Sequence, residues 1–330
     1  MITFCRVCFL VVAGWTGLGI GPAQSSATRH VVVLIEGRTA RIRPQVNGLR
    51  DGLEELKYVE GQNLILNVLQ DENGERLRAR LRDAIQRDAV DVIVTLGTAE
   101  TAIAKDVTSR LPIVFLPAGD PLESGFVRSL ATPETNLTGL TFFTGGENIG
   151  KQLETFKHVI PAIRHVAVLV DGRQHSGISS RFTKGLRSIA SWLGIDLIEK
   201  PVTASAEAAQ AITALYRQGN STGVFIVCTG LFRDLESLAA VAIKRRMPLF
   251  GCSAAQVAEQ KVLMTYAPDL YAMGYRGAWF VDRILRGAKP QALPVETPWK
   301  FELVINRTTA QQIGVTIPRE ILALSDRVFD

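Results

Sequence analysis

Runs of apolar, strand-forming residues that do not alternate with polar ones are the strongest constraint this chain places on its fold. Val90-Asp91-Val92-Ile93-Val94-Thr95-Leu96 leads into Gly97-Thr98, and a helical pattern follows at once. A strand without polar alternation is covered on both faces, as inside a parallel sheet. Residues 30–35, 64–69 and 112–116 have the same character. Helical stripes separate them: Val46, Leu49, Leu53 and Leu56, then Leu77, Leu81, Ala84 and Ile85, then residues 98–108. Asp120-Pro121-Leu122-Glu123 is expected to open a further helix, with Asp120 as its cap. This alternation builds a doubly wound sheet.

The layout then recurs. Strands are expected at residues 165–170, 196–198, 224–228 and 248–251, with helices over 182–193 and 206–216. Val31 and Val166, Asp91 and Val224, and Pro112 and Pro248 stand nearly the same distance apart in the chain. Identity between the halves is low, so the repeat is one of topology. Residues 136–146 link the halves. After the second half come a strand within 262–269, an amphipathic helix to Leu285, a strand at 301–305 and two short helical pieces. A tail that returns to the first lobe and crosses back makes a multi-strand hinge. The expected fold is therefore α/β, with two doubly wound parallel-sheet lobes joined by a multi-strand hinge. Lobe 1 takes residues 28–140 plus 268–297, and lobe 2 takes 141–267 plus 298–330.

Ligands of open parallel sheets bind beyond the carboxyl ends of the strands. In two facing lobes those ends line one cleft, which hinge motion closes on a small molecule. Several residues fall there. Gly97, Thr98 and Ala99 open a helix whose free N–H groups suit a carboxylate, with Thr98 able to cap it; the alternative is an ordinary strand-to-helix turn. Arg38 can pair bidentately with a carboxylate or serve as a solvated loop charge. Asp120 is either an acceptor for a ligand amine or simply a cap. Asp171, Gly230 and Ser253 end strands of the second lobe. Phe142 and Tyr266 lie on the connecting segments, where they can stack on a ligand or pack the hinge. Cys228 and Cys252 end strands expected to be neighbours, so they are either a disulfide or two buried thiols.

The N-terminus bears on compartment. Arg6 precedes the apolar run Cys8-Phe9-Leu10-Val11-Val12-Ala13-Gly14-Trp15, and Ser25-Ser26-Ala27 offers a cleavage site before Thr28. Residues 1–27 are expected to be a secretory signal peptide, giving a periplasmic protein. Removing them leaves Cys228 and Cys252, an even count in an oxidising compartment.

Other functions are poorly provided for. The net charge is +5, but Arg76, Arg78, Arg80, Arg82 and Arg87 alternate with other residues around a helix. Only 7% of residues are aromatic and none interleave with these arginines, so nucleic acid is not expected as a partner. Gly145-Gly146-Glu147-Asn148-Ile149-Gly150-Lys151-Gln152 has phosphate-loop spacing but ends in Gln152, where magnesium needs Ser or Thr. His30, His158, His165 and His175 form no pattern, and no third cysteine stands at metal spacing, so no metal or cofactor is expected. No convergent acid/base set points to an enzyme.

Six stretches carry a family resemblance: Gly52-Leu53-Glu54-Glu55-Leu56-Lys57-Tyr58-Val59-Glu60-Gly61-Gln62-Asn63-Leu64, Val90-Asp91-Val92-Ile93-Val94, Pro112-Ile113-Val114-Phe115 leading to Gly119-Asp120-Pro121, Asn136-Leu137-Thr138-Gly139, Val281-Asp282-Arg283-Ile284-Leu285-Arg286-Gly287-Ala288-Lys289-Pro290, and Lys300-Phe301-Glu302-Leu303-Val304-Ile305-Asn306. In these the chain resembles ABC-transporter substrate-binding proteins of the tryptophan/tyrosine type, which have the type I periplasmic binding protein fold. The resemblance implies a periplasmic receptor that delivers a small solute to ABC permease and ATPase subunits; the solute is expected to be carboxylate-bearing and amino-acid-like, and the receptor a monomer. A ligand-sensing module for a membrane signalling partner is the alternative. Two departures lie at the cleft. Asp171-Gly172-Arg173-Gln174-His175-Ser176 replaces the family's Pro/Asn-rich loop, and Gly251-Cys252-Ser253-Ala254 is unusual for it, so ligand identity does not carry over.

Overall fold

The computed structural model describes residues 28–37, 43–142, 147–173, 180–215 and 222–330. The expected signal peptide, Arg38, Gly145, Gly146 and His175 lie outside the described residues.

Lobe 1 is built on β1 (Arg29–Glu36), β2 (Leu64–Asp71), β3 (Val92–Thr95), β4 (Ile113–Ala118) and β5 (Leu137–Thr141), in the spatial order β2-β1-β3-β4-β5. All neighbours in this sheet are parallel. Val31, Val33 and Ile35 face one apolar layer, while Val32 and Leu34 face the other. Val92 and Val94 oppose Ile93 in the same way, and Val114 and Leu116 oppose Ile113 and Phe115. Both faces are covered, which is why these strands carry no polar alternation. α1 (Arg43–Glu55) covers the first face with Val46, Leu49 and Leu53. α2 (Gly74–Arg87) and α3 (Thr98–Val107) cover the second with Leu77, Leu81, Ala84, Ile103 and Ala104. Asn73 caps α2 by accepting from the Arg76 N–H at 3.0 Å. The arginines of α2 lie on its outer face, where Arg78 pairs with Asp106 and Arg87 with Asp83.

Lobe 2 repeats the order. β6 (His165–Asp171), β7 (Asp196–Val202), β8 (Thr222–Ile226), β9 (Leu249–Phe250) and β10 (Met264–Pro268) lie as β7-β6-β8-β9-β10, with parallel neighbours throughout. α4 (Glu147–Val159) precedes β6, and the helices between the strands are α5 (Ser180–Trp192), α6 (Ser205–Leu215), α7 (Glu236–Lys244) and α8 (Ala254–Glu259). The repeat read from strand spacing is thus a repeat of sheet order. Two strands extend this sheet beyond its counterpart. β11 (Phe301–Asn306) joins β10 antiparallel, and the terminal β12 (Arg327–Phe329) joins β11 parallel. The short β12 carries no periodicity long enough to predict.

The tail crosses between lobes as expected. α9 (Leu270–Leu285) leaves β10 and packs on α1, and Glu296 then bridges to Leu140 of β5 before the chain returns to β11. α10 (Arg307–Ile313) and α11 (Arg319–Leu324) follow. Glycines allow the close crossing of α1 and α9: a Cβ at Gly48 would overlap the Tyr271 carbonyl, and one at Gly274 the Gln45 carbonyl.

One expected helix is absent. Asp120 accepts from the Leu122 and Glu123 N–H groups at 3.1 Å, as a cap would. The chain then reverses, with Phe126 and Val127 donating back to the Pro121 carbonyl. Phe126 and Val127 are buried against the second face of the sheet, and a continuing helix would carry them away from it.

Candidate functional site

Electrostatics and hydrogen bonds place the carboxyl ends of the two sheets against each other. Arg233 follows a short 3₁₀ turn at Gly230–Phe232 in lobe 2. Its guanidinium pairs with Glu100 in the first turn of α3 in lobe 1 and donates to the Leu96 carbonyl at 3.2 Å. The Glu100 side chain is 1% exposed and that of Arg233 10%, so this bridge between lobes is buried. Glu100 also accepts from the Glu36 backbone N–H at 2.9 Å, tying the end of β1 to the same carboxylate. Its second oxygen, Oε2, is buried without a hydrogen-bond partner among the described residues.

A second charged pair faces the first. Arg173 forms a fork with Asp171 at the end of β6, Nε donating to Oδ1 at 3.0 Å and Nη2 to Oδ2 at 2.8 Å. The Thr229 hydroxyl donates to the same carboxylate at 2.7 Å. Burial opposes ionisation of Asp171, but these hydrogen bonds outweigh it and hold its carboxyl below the ordinary value. Glu36 behaves oppositely. Burial first, and the Glu100 charge second, push its carboxyl above the ordinary value, with Arg233 and Arg173 offsetting part of the shift.

Gly97, Thr98 and Ala99 lie half-buried at this junction. The cap of α3 is Gly97, which offers no side chain, and not Thr98 as expected. The Thr98 hydroxyl instead accepts from the Gly119 N–H at 2.9 Å, fastening the turn after β3 to the turn after β4. Thr101 donates to the Gly97 carbonyl at 2.7 Å. The start of α3 is therefore held by its second turn and by a neighbouring strand end, leaving the Gly97–Thr98 edge without a side-chain cap.

Other expected residues take several positions. Gly230 stands beside both arginines: a Cβ there would lie 3.7 Å from Arg173 and 3.9 Å from Arg233. Ser253 is 3% exposed at the start of α8, and its hydroxyl has no partner among the described residues. Cys228 and Cys252 form a disulfide with Cα atoms 5.4 Å apart, joining the chain just beyond β8 to that beyond β9. Gln256 accepts from the Cys252 N–H at 2.7 Å and fixes the same corner. Asp120 is 1% exposed and engaged by its own turn. Tyr266 stacks on Phe301 across β10 and β11, with ring centroids 5.5 Å apart, and Phe142 packs on the core of lobe 1.

Glu100, Arg173 and Arg233 are residues of this junction that sequence reasoning did not name as site candidates. Glu100 stands in the first helical turn, where an acid complements the helix dipole and needs no other reason. Arg173 lies within the loop Asp171–Ser176 and Arg233 a few residues beyond Gly230, but only their pairing at the strand ends distinguishes them from solvated charges. Among the described residues no His/Cys/Asp/Glu group could hold a metal, and no helix is long and apolar enough to cross a membrane.

This architecture is similar to that of solved proteins. A conserved domain protein from Vibrio cholerae matches with a TM-score of 0.81 at 26% identity, covering 92% of this chain and 99% of that one. An ABC domain in complex with L-Trp from Streptococcus pneumoniae also gives a TM-score of 0.81, at 20% identity, covering 92% of this chain and 100% of that one. A tyrosine-binding protein from Clostridioides difficile is 24% identical over 270 residues, 81% of this chain and 76% of that protein. Residues 30–329 match the model of the ABC transporter substrate binding proteins, and the chain belongs to that family.

Proposed function

We propose that this receptor captures an amino acid between its lobes and presents it to the importer outside the cytoplasm. The mixed-charge lining of the cleft carries this reading. Glu36 and the Arg173 guanidinium stand partly exposed where the strand ends meet, which suits a zwitterion better than an uncharged sugar. The ligand carboxylate lies at the uncapped start of α3, against Gly97, Thr98 and Ala99, and Arg38 is a further candidate to pair with it. Gly230 and Ser253 line the opposite wall. The similarity to a tyrosine-binding protein and to an L-Trp complex supports the same ligand class. The moving bodies are residues 28–140 with 268–297, and 141–267 with 298–330. Residues 1–27 direct export and are removed, and the mature chain works as a periplasmic monomer.

A thermal-shift panel of amino acids, other carboxylates and sugars on refolded, ligand-stripped protein tests the ligand class. An amino acid at 100 times its dissociation constant adds about 2.7 kcal/mol of stability. Stabilisation by sugars alone, or by nothing in the panel, refutes the reading.

A further inference from the structure

The Arg233–Glu100 bridge is made wholly of protein groups, and its surroundings are shaped to the guanidinium. Glu100 and the Leu96 carbonyl supply acceptors from lobe 1. The walls are bare backbone. A Cβ on Gly97 would come within 3.1 Å of Arg233 Nη2, and one on Gly37 within 3.5 Å of Nη1. From lobe 2, Gly230 leaves the same space beside the guanidinium carbon. A flat, forked cation fits between glycines in a way that a compact ammonium does not.

We propose that lobe 1 carries a guanidinium socket, formed by the Glu100 carboxylate, the Leu96 carbonyl and the bare Cα positions of Gly37 and Gly97, and that Arg233 is its built-in occupant. Insertion of Arg233 joins the lobes through a contact made between protein groups alone. Among the described residues the Glu100 carboxylate is met by Arg233 and by the Glu36 N–H, and its Oε2 is buried without a hydrogen-bond partner. When the lobes part, water takes over both charges. Desolvation on closing offsets much of the attraction regained, so the pair acts as a reversible latch and not as permanent glue. Arg233 is thus a positioning residue: it sets the fraction of closed receptor, and apparent solute affinity scales with that fraction.

Small-angle scattering of the full chain with no solute added tests this directly. R233A gives a larger radius of gyration than the unaltered protein. Millimolar methylguanidinium chloride, a soluble copy of the missing group, binds R233A saturably and stabilises it against heat. The unaltered protein, whose socket is filled, shows no such saturable effect. The double variant R233A/E100Q does not respond either, which separates socket binding from a general salt effect. If R233A fails to fold, R233M keeps the aliphatic stem and is read in the same way. An unchanged radius of gyration, or a methylguanidinium response that survives E100Q, overturns the proposal. No solute enters these measurements, so their failure is distinct from failure of the amino-acid reading.

Discussion

At Gly97, backbone geometry and cleft electrostatics meet in one residue. Its φ of +155° is one that L side chains rarely adopt, and a Cβ there would sit 2.5 Å from Glu100 Oε2. Gly97→Ala is therefore expected to cost about 1 kcal/mol or more, measured as a lowered urea midpoint. An unchanged midpoint would mean that the turn relaxes freely. Asp171 links fold to pH. Its folded carboxyl titrates below the ordinary value, so it contributes stability above that value and loses it as pH falls towards the folded one. D171N should be less stable than the unaltered protein at pH 7, with the gap narrowing below about pH 4 in melts across pH. A gap that stays constant down to acid would remove Asp171 from the account. Glu36 acts with the opposite sign, since folding favours its protonated form. Its pairing state was invisible in the sequence, where a loop glutamate and a buried one look the same.

Among the elements, the α1–α9 crossing depends most on a single residue type. Gly274→Ala places a methyl group on the Gln45 carbonyl, and Gly48→Ala places one on the Tyr271 carbonyl. Both contacts are with backbone, so the helices must separate. Each change should destabilise by about 1–3 kcal/mol in chemical denaturation. A loss of only a few tenths would show that α9 shifts at little cost. The helical stripes of α1 and α9 were legible because 3.6-residue periodicity is local, but their mutual contact was not. Local pattern also misled at Asp120. The capping residues were correct and the cap bonds form, yet burial of Phe126 decides that the chain turns back. Thr98 repeats the lesson, because its hydroxyl serves Gly119 from the neighbouring strand end instead of its own helix.

In the molecule as a whole, the last residues complete a lobe other than the one they follow. Leu303, Val304 and Ile305 of β11 and Ile313 of α10 are buried in lobe 2, although α9 and Glu296 before them belong to lobe 1 contacts. A chain ending at Pro298 should keep slow hydrogen exchange in β1 to β5 and lose it in β6 to β10. Equal protection in both lobes would show that β10 tolerates an open edge. The sequence by itself determined the sheet strands other than β12, their repeat and the two-lobed plan, because both-face burial and helical stripes are written in neighbouring residues. It also marked the strand ends at Gly97, Asp171 and Gly230 as the place to look. Only the tertiary structure decided which charges meet there. Arg233 reaches Glu100 and Arg173 faces Glu36 across lobes far apart in the chain, and the strength of such pairs depends on burial and distance, which no local pattern encodes.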